Sequence, residues 1–132
     1  MMSYVYHKDG TLPQNGEIFV FGSNLIGVHG AGAAKVALEK YGAQWSRGFG
    51  LVGQSYAIPT KDKLIDTHSL EVIDAFVLEF KADTWDSRLA DKRWFVTRVG
   101  CGLAGYTDAQ IAPMFKGARN CSFAEEWKEY LE

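Results

Sequence analysis

The sequence predicts one α/β domain of three layers, a central sheet covered by helices. Three observations carry this reading. Short apolar runs alternate with helical stretches along the chain; no linker, repeat or low-complexity segment divides them; and two of the apolar runs lead straight into glycine-rich loops. Alternation of this kind builds a sheet with helices on both faces. Ligands of such open sheets bind beyond the carboxyl ends of the strands, which is where both loops fall. At 132 residues the chain is long enough for one substantial core.

Each element has a local reason. Residues 17–23 (Glu-Ile-Phe-Val-Phe-Gly-Ser) read as a buried strand, because they are apolar without polar alternation. After the first glycine loop, Ala33, Ala34, Ala37, Leu38 and Tyr41 form one helical face, and Gly42 is placed to end it. Gly48, Gly50 and Gly53 make residues 44–53 a loop with a short strand. Residues 55–59 (Ser-Tyr-Ala-Ile-Pro) read as a strand whose end the proline marks. Asp66 or Thr67 can cap the next helix, Glu71 adds charge to its first turn, and Ile73, Phe76, Val77 and Phe80 give it a core stripe. Residues 82–93 are polar and read as helix or loop.

Residues 93–99 (Arg-Trp-Phe-Val-Thr-Arg-Val) are a strand entering the second glycine loop. Thr107-Asp-Ala-Gln110 fits a capping box and opens a helix through Ile111, Met114, Phe115 and Ala118, which Pro113 should kink. Residues 120–132 complete the chain with a short strand and an amphipathic helix around Phe123, Trp127, Tyr130 and Leu131.

Composition excludes several classes. The 14 basic and 16 acidic residues are spread along the chain, for a net charge of −2. No basic tract or aromatic-plus-arginine stripe stands out, which disfavours a nucleic acid held through its backbone. A small nucleotide needs only local positive potential. The start, Met-Met-Ser-Tyr-Val-Tyr-His-Lys-Asp, has no signal-peptide core, and no apolar run approaches membrane-spanning length. The expectation is a cytoplasmic protein with no membrane partner. Cys101 and Cys121 form no CxxC and have no histidine pair at zinc spacing, so no disulfide and no metal are expected. Cys101, inside Gly-Cys-Gly, suits packing, with a reactive thiol as the alternative.

Half of the 14 glycines lie in the two loop windows: Gly22, Gly27, Gly30, Gly32, Gly100, Gly102 and Gly105. Glycine lets backbone N–H groups approach a ligand, and runs of such groups attract phosphate. Two such loops at two strand ends would form a cleft for a diphosphate. Gly30-Ala-Gly32-Ala-Ala-Lys35 is no dinucleotide fingerprint, because Lys35 takes the third small position and the strand ends too early, at Ser23. No GxxxxGK[ST] is present. Gly53-Gln-Ser55-Tyr-Ala57 is a degraded nucleophile elbow on the wrong side of a strand.

Asn24 can hold its loop or a ribose hydroxyl with its amide. Lys61 falls just past a strand on the loop-bearing edge. It can pair with phosphate or attack a sugar carbon, with a solvated surface lysine as the plainer reading. His29 can move a proton or fill the loop. His7 and His68 read as surface or cap residues, and Asp108 as a first-turn helix charge.

These residues together resemble a macro domain: a strand ending at Ser23-Asn24, a Gly/Ala-rich loop, Thr60-Lys61 after a middle strand, and Arg98-Val-Gly-Cys-Gly-Leu103 before a helix. The chain is most similar to the subclass that removes terminal ADP-ribose from acidic side chains or DNA bases, and to small phage-type macro-like proteins. The resemblance covers roughly residues 17–120. It implies an α/β/α sandwich with a mixed sheet that binds ADP-ribose across its strand ends, and no cofactor or metal.

Loop one, Asn24 to Ala34 with Gly30, Ala31, Gly32 and Ala33 in it, would wrap the distal ribose. Loop two, from Gly100 through Cys101, Gly102, Leu103, Ala104 and Gly105, would hold the diphosphate, with Tyr106 packing on a ribose or base. In the hydrolase subclass a lysine at the place of Lys61 attacks the opened ribose at its anomeric carbon; in an ADP-ribosyl glycohydrolase or an ADP-ribose 1″-phosphate phosphatase Lys61 would be nucleophile or electrostatic stabiliser. The substrate would be an ADP-ribosylated protein or nucleic acid; a non-catalytic binding module is the alternative. Two positions depart from the family. Ala104 stands where its resolving aspartate is expected, and its adenine-gripping aspartate has only Glu17 and Asp9 as poor stand-ins. Asp62 and Asp108 are the acids left to compensate.

Overall fold

The computed structural model describes residues 4–14 and 16–132; the first three residues of the start read above for targeting signals lie outside them. Six strands form a single sheet: β1 (Val5–His7), β2 (Ile18–Asn24), β3 (Gly50–Val52), β4 (Ser55–Lys61), β5 (Trp94–Val96) and β6 (Cys121–Ala124). Four helices join them: α1 (Gly32–Lys40), α2 (Leu70–Trp85), α3 (Asp108–Ile111) and α4 (Lys128–Leu131). The spatial order is β1-β6-β5-β2-β4-β3. All neighbours are parallel except β3, which runs antiparallel to β4, so the sheet is mixed.

β2 is apolar without alternation because both of its faces are covered. Ile18 and Val20 pack with Tyr56, Ile58, Trp94 and Val96 against Ile73, Val77 and Phe80 of α2 and against Phe115 and Trp127. Phe19 and Phe21 turn the other way, toward Ala57, Phe95 and the small residues Ala34 and Ala37 of α1. Burying each large side chain contributes about 1.5–3 kcal/mol, and these rows anchor the strand ends that carry the loops.

Several boundaries differ from the sequence expectation for local reasons. β4 does not stop at Pro59 but runs to Lys61. Its register with β2 shifts there, from Ser23↔Pro59 to Asn24↔Lys61. β3 reaches only as far as Ala57. Pro59 therefore sits where β4 has one neighbour, and its missing N–H is tolerated. Ser69 caps α2, accepting from Val72 N at 3.4 Å, in place of Asp66 or Thr67. Those two belong to a preceding turn, in which Asp62 Oδ1 accepts from Leu64 N and Asp66 N, and Thr67 bridges Lys61. The strand expected over residues 93–99 is only Trp94–Val96. Thr107 and Gln110 form the expected capping box, but α3 lasts four residues before Pro113 turns it into a 3-10 stretch, Ala112–Phe115. The N-terminal strand β1 had no sequence signal; it pairs with β6.

Candidate functional site

Parallel strands β1, β5, β2 and β4 present their carboxyl ends along one edge, and a cleft of about 750 Å³ lies across them. From β1 to β4 is four strand spacings, roughly 19 Å at about 4.8 Å each, longer than a single nucleoside. Both glycine loops border this one cleft. From loop one and its strand it takes Ser23, Asn24, Gly30, Ala31, Gly32 and Ala33; from loop two Gly100, Cys101, Gly102, Leu103 and Ala104. Thr60 and Lys61 come from the end of β4. The loops approach closely: a Cβ built on Gly22 would lie 3.6 Å from Gly100 N.

Gly105 and Tyr106 do not line the cleft. The Tyr106 hydroxyl donates to the His68 carbonyl at 2.5 Å and its ring packs with the α2-side core, so it braces loop two from behind. His29 is wholly buried; its Nε2 lies 2.8 Å from the Gln44 carbonyl and its Nδ1 3.3 Å from the Ser23 hydroxyl. Of the two roles open to it, it fills the loop. Asn24 likewise spends its amide on the loop, donating to Val28 O at 2.9 Å and accepting from Val28 N at 3.0 Å. Neither acid considered as a substitute for the one at Ala104 lines the cleft. Asp62 closes its own turn, and Asp108 accepts from Arg98 and Trp127.

The backbone at the cleft is rich in unused donors. The N–H groups of Gly100, Gly102, Leu103 and Ala104 meet no acceptor among the described residues. Helix α1 begins at the cleft with no capping side chain and no acid in its first turn. Its first N–H groups are therefore open, at the positive end of the helix dipole.

Two further features were not singled out from the sequence. Segment 44–49 buttresses loop one: Ser46 N donates to Gly27 O at 2.9 Å, and a Cβ on Gly48 would lie 1.8 Å from Asn24 O. The signal available was the glycine pair itself, Gly27 and Gly48. Arg98 lines the cleft and binds Asp108 through two bonds, of 2.9 and 2.6 Å, and Asp9 at 3.1 Å. Residues 98 and 108 bracket loop two, so this pair ties its ends together. Arg98 holds the Asp108 carboxyl below the usual carboxylate range. Burial, reinforced by Asp108, pushes the Cys101 thiol up to about 12, so it is no ready thiolate.

At the β1 end the cleft is lined by His7, Asp9, Leu12 and Phe95, with the His7 ring stacked on Phe95 at 3.8 Å. Burial lowers the His7 pKa from its ordinary 6.5, favouring the neutral ring. At the β4 end Lys61 is the charged side chain, and it makes no ion pair among the described residues. Among the described residues no three metal-ligating side chains cluster, and no helix is long and apolar enough to cross a membrane. No protein-family model, curated protein or solved structure matches this chain.

Proposed function

We propose that the cleft binds ADP-ribose or a related NAD-derived nucleotide, and that Lys61 acts on the group joined to its distal ribose. The observation that carries this reading is the set of unused N–H donors on two loops that border one cleft. Facing backbone donors and an uncapped helix start suit a diphosphate better than any uncharged ligand. Arg98 is paired with Asp9 and Asp108, so Lys61 is the cation lining the cleft that remains for an anion. The base would lie at the β1 end, beside the His7 ring with Asp9 as acceptor, and the distal ribose at the β4 end beside Lys61. In this reading the chain is a macro-like α/β/α sandwich.

When deprotonated, the Lys61 amine would add to the anomeric carbon as the bond to the leaving group breaks. Water would then release ADP-ribose and restore the amine. Calorimetry with ADP-ribose and a turnover assay on ADP-ribosylated protein or nucleic acid test both halves. Lys61→Ala should abolish release of ADP-ribose while changing its affinity by no more than about threefold. Unchanged turnover would remove Lys61 from the chemistry, and absence of binding at millimolar ADP-ribose would end the reading. A second reading, a non-catalytic ADP-ribose module, is favoured by Ala104: among the described residues Asp9 is the one carboxylate lining the cleft, and Arg98 holds it. Binding without turnover would select it.

A further inference from the structure

Ile65 has a backbone conformation that a β-branched residue rarely adopts, with φ at 64°. Such a residue in the left-handed region is strained, because its branched Cβ crowds the backbone. The surrounding turn enforces it. Ile65 N donates to Asp62 O at 3.1 Å, Asp62 N to Asp66 O at 2.8 Å, and Asp62 Oδ1 accepts two further N–H groups. Glycine or asparagine would fit this position without strain, yet the chain has isoleucine there, and the side chain lines the cleft while remaining 44% exposed. Strain of this kind, held next to a ligand cleft, is a pointer to use.

Its neighbours say what the use is. The turn folds back so that Thr67 bridges Lys61 and its hydroxyl approaches Ala104 O at 3.5 Å. Leu25 N donates to Lys61 O at 3.0 Å, which brings Ile26 to the same end. Ile26, Ile65 and Leu103 all line the cleft that Lys61 also lines and are 46%, 44% and 76% exposed, an apolar collar carried by the three segments that meet the end of β4. We propose that this collar seats the group attached to the anomeric carbon of the ligand, that this group is uncharged and apolar or aromatic on the face it presents, and that Ile65 is the residue that selects it. A phosphate dianion placed there would lose water against three aliphatic side chains with a single cation to offset it. The inference rests on the ADP-ribose reading and narrows it.

The test compares three probes, ADP-ribose, 1″-O-benzyl ADP-ribose and ADP-ribose 1″-phosphate, by calorimetry on the whole chain and on Ile65→Asn. The wild type should bind the benzyl compound roughly tenfold more tightly than ADP-ribose, and the phosphate roughly threefold or more less tightly. Ile65→Asn should raise Tm by about 3–5 °C through relief of strain. It should hold ADP-ribose within about twofold and lose most of the preference for the benzyl compound. An unchanged preference in Ile65→Asn, or a wild type that favours the phosphate, overturns the collar while leaving ADP-ribose binding intact. A wild type that binds none of the three removes the underlying reading and the collar with it. Ile65→Gly serves as a second variant should the asparagine side chain bond into the turn.

Discussion

At Gly48 an added methyl would lie 1.8 Å from the Asn24 carbonyl oxygen, whereas at Gly102 it meets nothing within 4 Å. The two glycines therefore test different things. Gly48→Ala must displace loop one and should cost roughly 2–4 kcal/mol of stability, read by urea denaturation, with ADP-ribose affinity lost as well. Gly102→Ala should leave stability unchanged within about 0.5 kcal/mol. If a diphosphate lies against loop two, its methyl should nevertheless weaken ADP-ribose binding by at least about tenfold in calorimetry, roughly 1.4 kcal/mol. Equal binding by Gly102→Ala and wild type would move the diphosphate elsewhere. At this scale the sequence was readable for residue type and not for partner. Lys61 and Cys101 could be placed near a strand end from their neighbours in the chain. That Tyr106 turns away from the cleft depends on the His68 carbonyl, 38 residues away, and that His29 is structural depends on Gln44. Only the folded topology supplies those partners.

Loop two is an element with a clasp. Arg98 and Asp108 close its two ends, Tyr106 N donates to Gly100 O at 2.9 Å inside it, and the Thr107–Gln110 capping box begins the helix that follows. The pair is partly exposed, its side chains at 32% and 20%, so the full strength of a buried ion pair does not apply. Arg98→Ala should cost about 1–2 kcal/mol of stability, and Arg98→Lys should recover only part of it, because one ammonium group cannot make both bonds to the carboxylate. If the clasp also shapes the phosphate site, ADP-ribose affinity should fall in the same order in a titration: wild type, then Arg98→Lys, then Arg98→Ala. Thr107→Ala, which removes only the cap, should cost about 1 kcal/mol. The elements with strong periodicity or end signals were legible: β2, α1 with Gly42 after it, the α2 stripe and the capping box. The ones missed lack such signals or had them overridden. β1 is three residues long and exists because β6 offers it an edge. The α2 cap fell to Ser69 because the preceding turn had already engaged Asp66 and Thr67.

Across the whole molecule, the buried titrating groups define a window of stability. Burial pushes Cys101 from an ordinary value of 9.0 up to about 12, pushes Cys121 up further, and with the Asp83 hydrogen bond raises Tyr56 above 10.0. In the unfolded chain these groups lose their protons from about pH 9 upward, while the native state keeps them. The native state then binds more protons, so stability falls as pH rises above about 9 and is fully present below it. Asp108 works in the opposite sense. Arg98 lowers its pKa from 3.8, so the unfolded state binds more protons at low pH, and that contribution is lost as pH falls through the acid range below about 4. Burial lowers the His7 pKa from 6.5, so its contribution is likewise lost as pH falls below about 6.5. Urea midpoints should therefore be level from about pH 7 to about 8.5 and decline on both sides. Replacing Cys101 and Cys121 together with alanine should flatten the alkaline decline measured against that variant's own value at pH 7, leaving the share due to the raised tyrosines, Tyr56 and Tyr6 among them. Asp108→Asn should flatten only the part of the acid side below about pH 4, leaving the share due to His7 and the whole alkaline side. An alkaline limb unchanged by the double cysteine variant would mean that the thiols are solvated. The strand ends that carry the cleft would then be more open than their packing indicates.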